Sequence, residues 1–235
     1  MAGATPLLTA FVVAAVLGYL LGSIPFGLVV TRMAGLGDIR TIGSGNIGAT
    51  NVLRTGRKDL ALATLLLDAG KAGLAFLICW QSATHLLSPD PGRDALIAAA
   101  VRTRNAYSVG LFGGAFAFVG HCYPVWLQFK GGKGIATFIG LLLVAMWKVG
   151  LAFGVVWFLT AALFRMSSLA GLVATLATPI IAYVLDPAGD GWIITGVLAV
   201  LIFWRHRANI GRILNGTESK IGAKKNKDPP PEAAG

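Results

Sequence analysis

Long apolar stretches are the feature that most constrains this chain. An α-helix needs about 20 residues to cross a hydrocarbon core of about 30 Å, and several segments of this 235-residue sequence reach or approach that length. Only 13% of the residues are charged, compared with about 25% in soluble proteins, and 55% are hydrophobic. The sequence therefore predicts an all-α integral membrane protein that folds as one helix bundle.

We expect about seven spanning helices. They are predicted at residues 7–33, 60–82, 107 to the early 120s, 135–147, 149–164, 169–185 and 192–204. The first is expected to be retained, because its apolar run is longer than that of a signal peptide and no basic segment precedes it. Residues 94–106 are interpreted as an interfacial helix, since Arg102 and Arg104 would be costly at bilayer depth. We expect one membrane domain over residues 1–222, followed by a polar, proline-broken and disordered tail at 223–235.

The distribution of basic residues orients this bundle. If the N-terminus lies outside, fifteen of the twenty Lys and Arg residues fall on inner segments and only Arg93, Arg102, Arg104 and Lys148 fall outside, with Lys71 inside a span. The positive-inside rule then predicts an outer N-terminus and a cytoplasmic C-terminus. The formal net charge of +10 does not indicate nucleic-acid binding, because the charges lie between apolar spans; we expect contact with membrane lipids instead.

Three polar loops fall on the predicted inner side. They cover residues 43–54, 120–137 and 206–218, and each combines glycines or small polar residues with Arg or Lys. Glycine lets backbone N–H groups converge on an oxyanion, and a helix that begins just after the loop adds its dipole. Such glycines can also serve only as turns, but three basic loops on one face favour an anion-binding site. The Gly-Gly-Lys-Gly run at Lys133 is not a Walker A loop, since Gly rather than Ser or Thr follows the lysine.

Other polar residues have two possible interpretations each. His206 and Asn209 are three apart and would share a helix face, where His206 can exchange a proton or simply lie at the interface. Asp68 and Lys71 lie one turn apart inside a span, and they form either a functional or a structural pair.

Four further residues are not expected to belong to a functional site. The two cysteines, Cys79 and Cys122, are interpreted as inert buried thiols. His85 and Asp90 have the H-x₄-D spacing of common glycerolipid acyltransferases, which we attribute to chance because they fall on the outer side.

The three loops closely resemble the acyl-phosphate-dependent glycerol-3-phosphate acyltransferases of bacterial membranes, the PlsY family. The matching pieces are residues 44–51 with Arg54, 120–124 with 129–137, and 206–212 with Glu218, and the segment 22–27 and the pair Asp68/Lys71 fit as well. The resemblance covers nearly the whole chain, apart from a longer outer segment near 88–106 and the tail.

The resemblance implies acyl transfer from acyl phosphate to sn-glycerol 3-phosphate, giving 1-acyl-sn-glycerol 3-phosphate and phosphate, in the bacterial inner membrane and with no metal or other cofactor. The expected catalytic residues are Ser44, Lys133, His206 and Asn209. The expected contacts to substrate and phosphate are Gly45, Asn46, Thr50, Asn51, Arg54, Asp68, Lys71, His121, Gly131, Gly132, Gly134, Thr137, Ser167, Ser168, Arg212 and Glu218. The base remains open between His206 and a phosphate oxygen of the substrate.

Two other functions stay open from the residues alone. A transporter for phosphate esters would also use broken helices and a buried Asp68/Lys71 pair, although no internal repeat is visible. A non-catalytic membrane scaffold would have no use for such dense inner loops.

Overall fold

The regular structure of this chain is helical. A computed structural model describes residues 4–87 and 94–222. The α-helices within these residues are α1 (Ala4–Gly22), α2 (Phe26–Met33), α3 (Ala49–Val52), α4 (Lys58–Leu86), α5 (Ala95–Cys122), α6 (Ile135–Ala145), α7 (Trp147–Phe164), α8 (Ser167–Leu185), α9 (Gly191–Arg205) and α10 (Arg207–Leu214). The described residues include no strand, so the all-α prediction is confirmed. The predicted tail at 223–235 lies outside the described residues.

Most of these helices are long and apolar enough to cross a membrane. By length and composition, the described residues contain five such spans: α1 together with α2, then α4, α5, α7 and α8. Helices α9 and α10 qualify only as a pair, which is bent by 63°. Helix α6 is apolar but has 11 residues. Five or six spans and one short apolar helix agree approximately with the predicted seven.

The predicted first span is broken into two helices. Helix α1 ends at Gly22 and α2 begins at Phe26, with Pro25 at the N-cap of α2. Proline lacks a backbone N–H and therefore fits the start of a helix better than its interior. The break also leaves the carbonyl of Ile24 outside a helix, where it accepts a hydrogen bond of 3.0 Å from Lys71 in α4.

Helix α5 is longer than predicted. Residues 95–106 continue it without interruption, so the separate interfacial helix expected there is wrong, and Asp94 caps its N-terminus by accepting from the N–H groups of Leu96 and Ile97. Its 28 residues extend over about 42 Å at 1.5 Å per residue, which is more than a hydrocarbon core of about 30 Å. The N-terminal part of the helix can therefore extend beyond the hydrocarbon core, which keeps Arg102 and Arg104 away from the centre of the bilayer.

Helix α5 also lies at the centre of the bundle. It packs against α1, α4, α6 and α9, and the rings of Phe118, Phe138 and Phe153 are buried in contact with one another around it. Outward-facing side chains such as Leu66 and Leu163 remain exposed, as expected for a surface covered by lipid tails.

Close packing of α1 on α5 places the first break next to the second loop. A Cβ on Gly22 would collide with the backbone of Ala117, and one on Gly120 would collide with the carbonyl of Tyr19. Small residues let membrane helices approach in this way. At the end of the contact nearest the second loop, Trp126 Nε1 donates a hydrogen bond of 2.7 Å to the carbonyl of Ser23.

Candidate active site

The three polar loops come together at one end of the bundle. Arg54 of the first loop donates to Ser219 Oγ, which follows the third, over 3.3 Å. Arg205, at the end of α9, donates to the carbonyls of Gly131 and Gly132 in the second loop over 2.7 and 3.0 Å. The structure thus joins loops that are more than seventy residues apart in sequence.

Lys133 and Asn209 meet at the centre of this region. Lys133 Nζ donates to Asn209 Oδ1 over 2.5 Å, and Asn209 Nδ2 donates in turn to Glu218 Oε1 over 2.7 Å. Asn209 is 5% exposed, so its side-chain amide is fixed between the ammonium group and the carboxylate. Two of the four expected catalytic residues are therefore in direct contact.

Glu218 is the carboxylate on which the surrounding donors converge. Ser168 Oγ donates to Oε1 over 2.7 Å, and Arg212 Nε donates to Oε2 over 2.6 Å. Burial by itself would raise the pKa of Glu218, but the hydrogen bonds from Ser168, Asn209 and Arg212 outweigh burial and lower it. Glu218 is thus ionised at neutral pH and holds α8, α10 and the C-terminal loop together.

The charge around Lys133 is strongly positive. The pKa of Lys133 is lowered, first by burial and then by the neighbouring guanidinium groups of Arg212, Arg205 and Arg54, while Glu218 opposes the shift. Three guanidinium groups and one carboxylate thus neighbour the Lys133 ammonium group. An excess of positive charge in a partly buried site favours the binding of anions.

The second loop differs from the cradle predicted for it. The N–H groups of Gly131 and Gly132 donate to the carbonyls of Cys122 and His121 over 3.2 and 3.0 Å, so these amides are not available to a phosphate. The reason is that the loop folds back onto the C-terminal end of α5.

The N-terminus of α6 remains for an anion. Helix α6 starts after Gly134, which has φ +87°, and N–H groups of a first helical turn have no partner within the helix. In that turn, Thr137 Oγ1 is buried and has no hydrogen-bond partner among the described residues.

Asn51 organises the first loop. Its Oδ1 accepts from the backbone N–H and the hydroxyl of Ser44 over 3.1 and 3.4 Å, and its Nδ2 donates to the carbonyl of Ile39 over 2.8 Å. Asn51 is buried whereas Ser44 is exposed. The loop therefore presents the Ser44 hydroxyl and the Arg54 guanidinium on its surface while Asn51 holds it from within.

Several other expected residues lie at the edges of the site. Asn46 accepts from the backbone N–H of Ile47 over 3.0 Å, and Gly45 turns the chain with φ +67°. Thr50 is exposed in α3, and Ser167 is half-buried at the start of α8. Among the described residues, the Lys133 side chain donates its hydrogen bond to Asn209 rather than to any of these four.

His206 lies at the bend between α9 and α10. Its Nδ1 donates to the carbonyl of Ile202 over 2.8 Å, since a carbonyl can only accept, and this leaves Nε2 with its lone pair. The side chain is 3% exposed. Burial lowers the pKa of His206 to about 4, against the opposing hydrogen bond to Ile202, so the imidazole is neutral at physiological pH.

The remaining expected residues form a separate cluster. Asp68, Lys71 and His121 are buried together between α4 and α5, and Gly132 lies between this cluster and Lys133. Among the described residues, no group of three or more His, Cys, Asp or Glu side chains is placed to hold a metal ion.

Two residues that hold the loops in place were not predicted from the sequence. Arg205 donates to two carbonyls of the second loop, and its Cζ lies 5.1 Å from the centre of the Tyr123 ring. Tyr19 Oη donates to the carbonyl of Tyr123 over 2.8 Å. Arg205 lies in a basic run with Arg207, and nothing in that run distinguishes the arginine that turns inward.

His85 lies at the end of α4 that is remote from the first loop. His85 is in the last turn of α4, where its Nε2 is 3.1 Å from Gln81 Nε2. Asp90 lies outside the described residues. His85 therefore belongs to the opposite end of α4 from the first loop.

Comparisons with known proteins agree with this architecture. A family model described as glycerol-3-phosphate acyltransferase matches residues 12–216. The glycerol-3-phosphate acyltransferase of Maricaulis maris is 57% identical over 88% of this chain and 86% of its own length, and that of Rhodospirillum rubrum is 52% identical over 97% and 100%. The crystal structure of PlsY (YgiH), an integral membrane glycerol 3-phosphate acyltransferase in its glycerol 3-phosphate form, has a TM-score of 0.75 and 34% identity over 90% of this chain and 96% of that one.

The helical bundle, with its cationic loops at one end, is thus that of a multi-pass membrane acyltransferase. More particularly, the chain belongs to the glycerol-3-phosphate acyltransferase family.

Proposed function

We propose that this acyltransferase transfers an acyl group from acyl phosphate to the 1-hydroxyl of sn-glycerol 3-phosphate, giving 1-acyl-sn-glycerol 3-phosphate and inorganic phosphate. The observation that carries the proposal is the group of three guanidinium groups, Arg54, Arg205 and Arg212, around Lys133, with Glu218 as the carboxylate among them. Both proposed substrates present a phosphate, and a site with this excess of cations at a helix N-terminus suits phosphates. The similar PlsY structure has also been solved in a lysophosphatidic acid form, which corresponds to the proposed product.

The proposed reaction needs no nucleophile from the protein. The 1-hydroxyl oxygen attacks the carbonyl carbon of the acyl phosphate, and the bond between that carbon and the phosphate oxygen breaks. The phosphate leaves with the electron pair, and the hydroxyl proton passes to a base. The protein has to orient the hydroxyl and stabilise negative charge on the carbonyl and phosphate oxygens, which is the role we assign to Lys133, Arg54 and the first turn of α6.

The base that takes the proton is either His206 or a phosphate oxygen. His206 Nε2 has a free lone pair, but the pKa of about 4 makes it a weak base. A phosphate monoester has a second pKa near ~6. We therefore favour the substrate phosphate as the proton acceptor and propose that Nε2 of His206 orients a hydroxyl group by accepting its hydrogen bond.

The acyl chain needs an apolar path to this site. A cavity of about 380 Å³ lies between α1 and α4, lined by Leu17, Leu20, Leu21, Ile24, Ala75, Ile78 and Cys79. Ile24 is also the residue whose carbonyl Lys71 holds. An acyl chain lying in this cavity would have its carboxyl end near the break between α1 and α2.

The proposed location is the bacterial inner membrane, with the N-terminus outside and the site on the cytoplasmic side. Exposed basic residues of the inner loops, among them Arg57, Lys130 and Arg207, suit the anionic lipid headgroups of a cytoplasmic leaflet.

The decisive experiment supplies purified protein in vesicles with glycerol 3-phosphate and one acyl donor at a time. We expect lysophosphatidate and one equivalent of phosphate with acyl phosphate, and no product with acyl-CoA or acyl carrier protein. Product from acyl-CoA alone would contradict the proposed donor. Uptake of labelled glycerol 3-phosphate into vesicles without an acyl donor would instead support a transporter.

A further inference from the structure

The ammonium group of Lys71 is buried, and all three of its N–H groups are used by acceptors within the protein. Its Nζ contacts Asp68 Oδ1 at 2.8 Å, His121 Nδ1 at 2.9 Å and the carbonyl of Ile24 at 3.0 Å. An ammonium group has three N–H donors, and these three acceptors use all of them. The contact to phosphate expected for Lys71 from the sequence therefore does not fit its geometry.

The cluster is also balanced in charge. Lys71 carries one positive charge and Asp68 one negative charge, with side chains 1% and 2% exposed. A buried ion pair persists when each partner is fully hydrogen-bonded. His121 accepts from Lys71 at Nδ1, so its neutral ring carries the proton on Nε2. Nδ1 also lies 3.5 Å from Asp68 Oδ1, so the Nε2 edge of the ring faces away from the pair.

That other edge of His121 lies against the second loop. A Cβ added to Gly132 would collide with His121 Nε2, Cε1 and Cδ2, its three nearest atoms. The carbonyl of His121 accepts from the N–H of Gly132 over 3.0 Å. From the other side, Arg205 holds the carbonyls of Gly131 and Gly132. Gly132, the residue before Lys133, is thus held by both the His121 ring and the Arg205 guanidinium group.

We infer that Asp68, Lys71 and His121 are positioning residues that set the place of the Lys133 ammonium by holding the Gly131–Gly132 turn, and that they do not contact either substrate. The inference rests on the proposed function only in taking Lys133 to act on a phosphate. Because Lys71 also holds the carbonyl of Ile24, the cluster ties the break between α1 and α2 to the same loop.

A double-mutant cycle tests the contact between the ring and the glycine. His121→Asn keeps an acceptor near the position of Nδ1 for Lys71 but removes Nε2 and Cε1. Gly132→Ala adds the methyl group that collides with those atoms. We expect Gly132→Ala to lower kcat at least ~100-fold in the natural background, since a displacement of about 1 Å costs this much, and less than ~10-fold in the His121→Asn background.

Gly131→Ala is the matched control on the neighbouring residue. Its Cβ would meet the carbonyl of His121, Pro124 and the backbone of Cys122, none of which the His121 substitution removes. Its cost should be the same in both backgrounds. Equal costs of Gly132→Ala in both backgrounds would overturn the inference.

Hydrogen exchange of the backbone amides supplies a measurement that needs no substrate. His121→Asn and the charge-neutral pair Asp68→Asn with Lys71→Gln should each raise exchange at residues 131 and 132 at least ~10-fold, with most of the kinetic loss in kcat. Unchanged exchange together with a higher KM for glycerol 3-phosphate would show that these side chains bind the substrate, against our inference. Because this arm requires no turnover, it stands even if acyl phosphate proves not to be the donor.

Discussion

Asn209 keeps the central lysine out of an ion pair. Its amide accepts from Lys133 and donates to Glu218, so the two opposite charges are linked through a neutral group. A direct ion pair would have to be broken before Lys133 could bind a phosphate. The asparagine instead leaves the ammonium near other cations, where an incoming anion relieves their repulsion.

Replacing Lys133 or Arg54 by alanine should lower kcat/KM at least ~30-fold, because a charge-assisted hydrogen bond to phosphate contributes roughly 2 kcal/mol. The measurement is phosphate release with acyl phosphate and glycerol 3-phosphate. Lys130→Ala is the control, since Lys130 is exposed on the same loop, and it should change the rate less than ~3-fold. Near-normal turnover of either variant would remove that residue from the site.

Substitution of His206 and of His85 tests which end of the molecule carries the active site. His206→Ala should lose most activity, whereas His85→Ala should stay within about a factor of three, as usual for a surface position. Both variants must first be shown to be folded by thermal unfolding in detergent. Loss of activity in His85→Ala alone would move catalysis to the outer surface.

The pH dependence distinguishes the two candidate bases. Because burial lowers the pKa of His206 to about 4, the free enzyme keeps this ring neutral above about pH 5. The kcat/KM value should therefore rise with pH through ~6, where the substrate phosphate loses its proton. The same rise should remain in His206→Gln at a lower rate. Disappearance of the rise in that variant would assign it to His206.

At the scale of elements, the sequence located the helices but not the junctions between them. The apolar runs determine α4, α7, α8 and α9 within a few residues, because a helix in lipid satisfies all of its own backbone groups. The break between α1 and α2 was not predicted, although Pro25 marks it in the sequence, and the Lys71 side chain that bonds the freed carbonyl of Ile24 comes from another helix. The sequence pointed to Lys133 and Asn209 but not to Arg205, whose role depends on two carbonyls more than seventy residues away.

The start of α6 depends on a single glycine. Gly134 has φ +87°, and a Cβ there would collide with the ring of Phe118. Gly134→Ala should therefore destabilise the fold by about 1–3 kcal/mol and lower Tm by at least ~3 °C. Gly154→Ala in α7 is the matched control, because a Cβ there meets nothing within 4 Å, and it should leave Tm unchanged or slightly raised. Equal Tm values for the two variants would contradict this explanation.

At the scale of the whole molecule, orientation follows from charge rather than from packing. The helices would pack equally well with either end of the bundle facing the cytoplasm, whereas the basic residues are concentrated at the end that bears the loops. Sequence therefore predicts the orientation directly, while the convergence of the three loops required the structure.

Single-cysteine labelling tests that orientation. The native thiols at Cys79 and Cys122 are 3% and 0% exposed, so they should contribute little background. In intact cells, a membrane-impermeant maleimide should label Lys148→Cys but not Lys220→Cys, and both should react once the membrane is opened. Labelling of the second position alone would place the loops outside.

The shortness of α6 determines how deep the chemistry takes place. Helix α6 has 11 residues and its neighbour α7 has 18, and the two meet at Met146. At 1.5 Å per residue, α6 stops about 10 Å short of the level where α7 ends. We therefore expect the turn before Lys133 to lie below the level that the end of α7 reaches, closer to the ester groups of the surrounding phospholipids. A fatty acyl donor can stay at its own depth in the leaflet while the water-soluble glycerol phosphate descends to it, and the new ester forms at the level where membrane esters already lie.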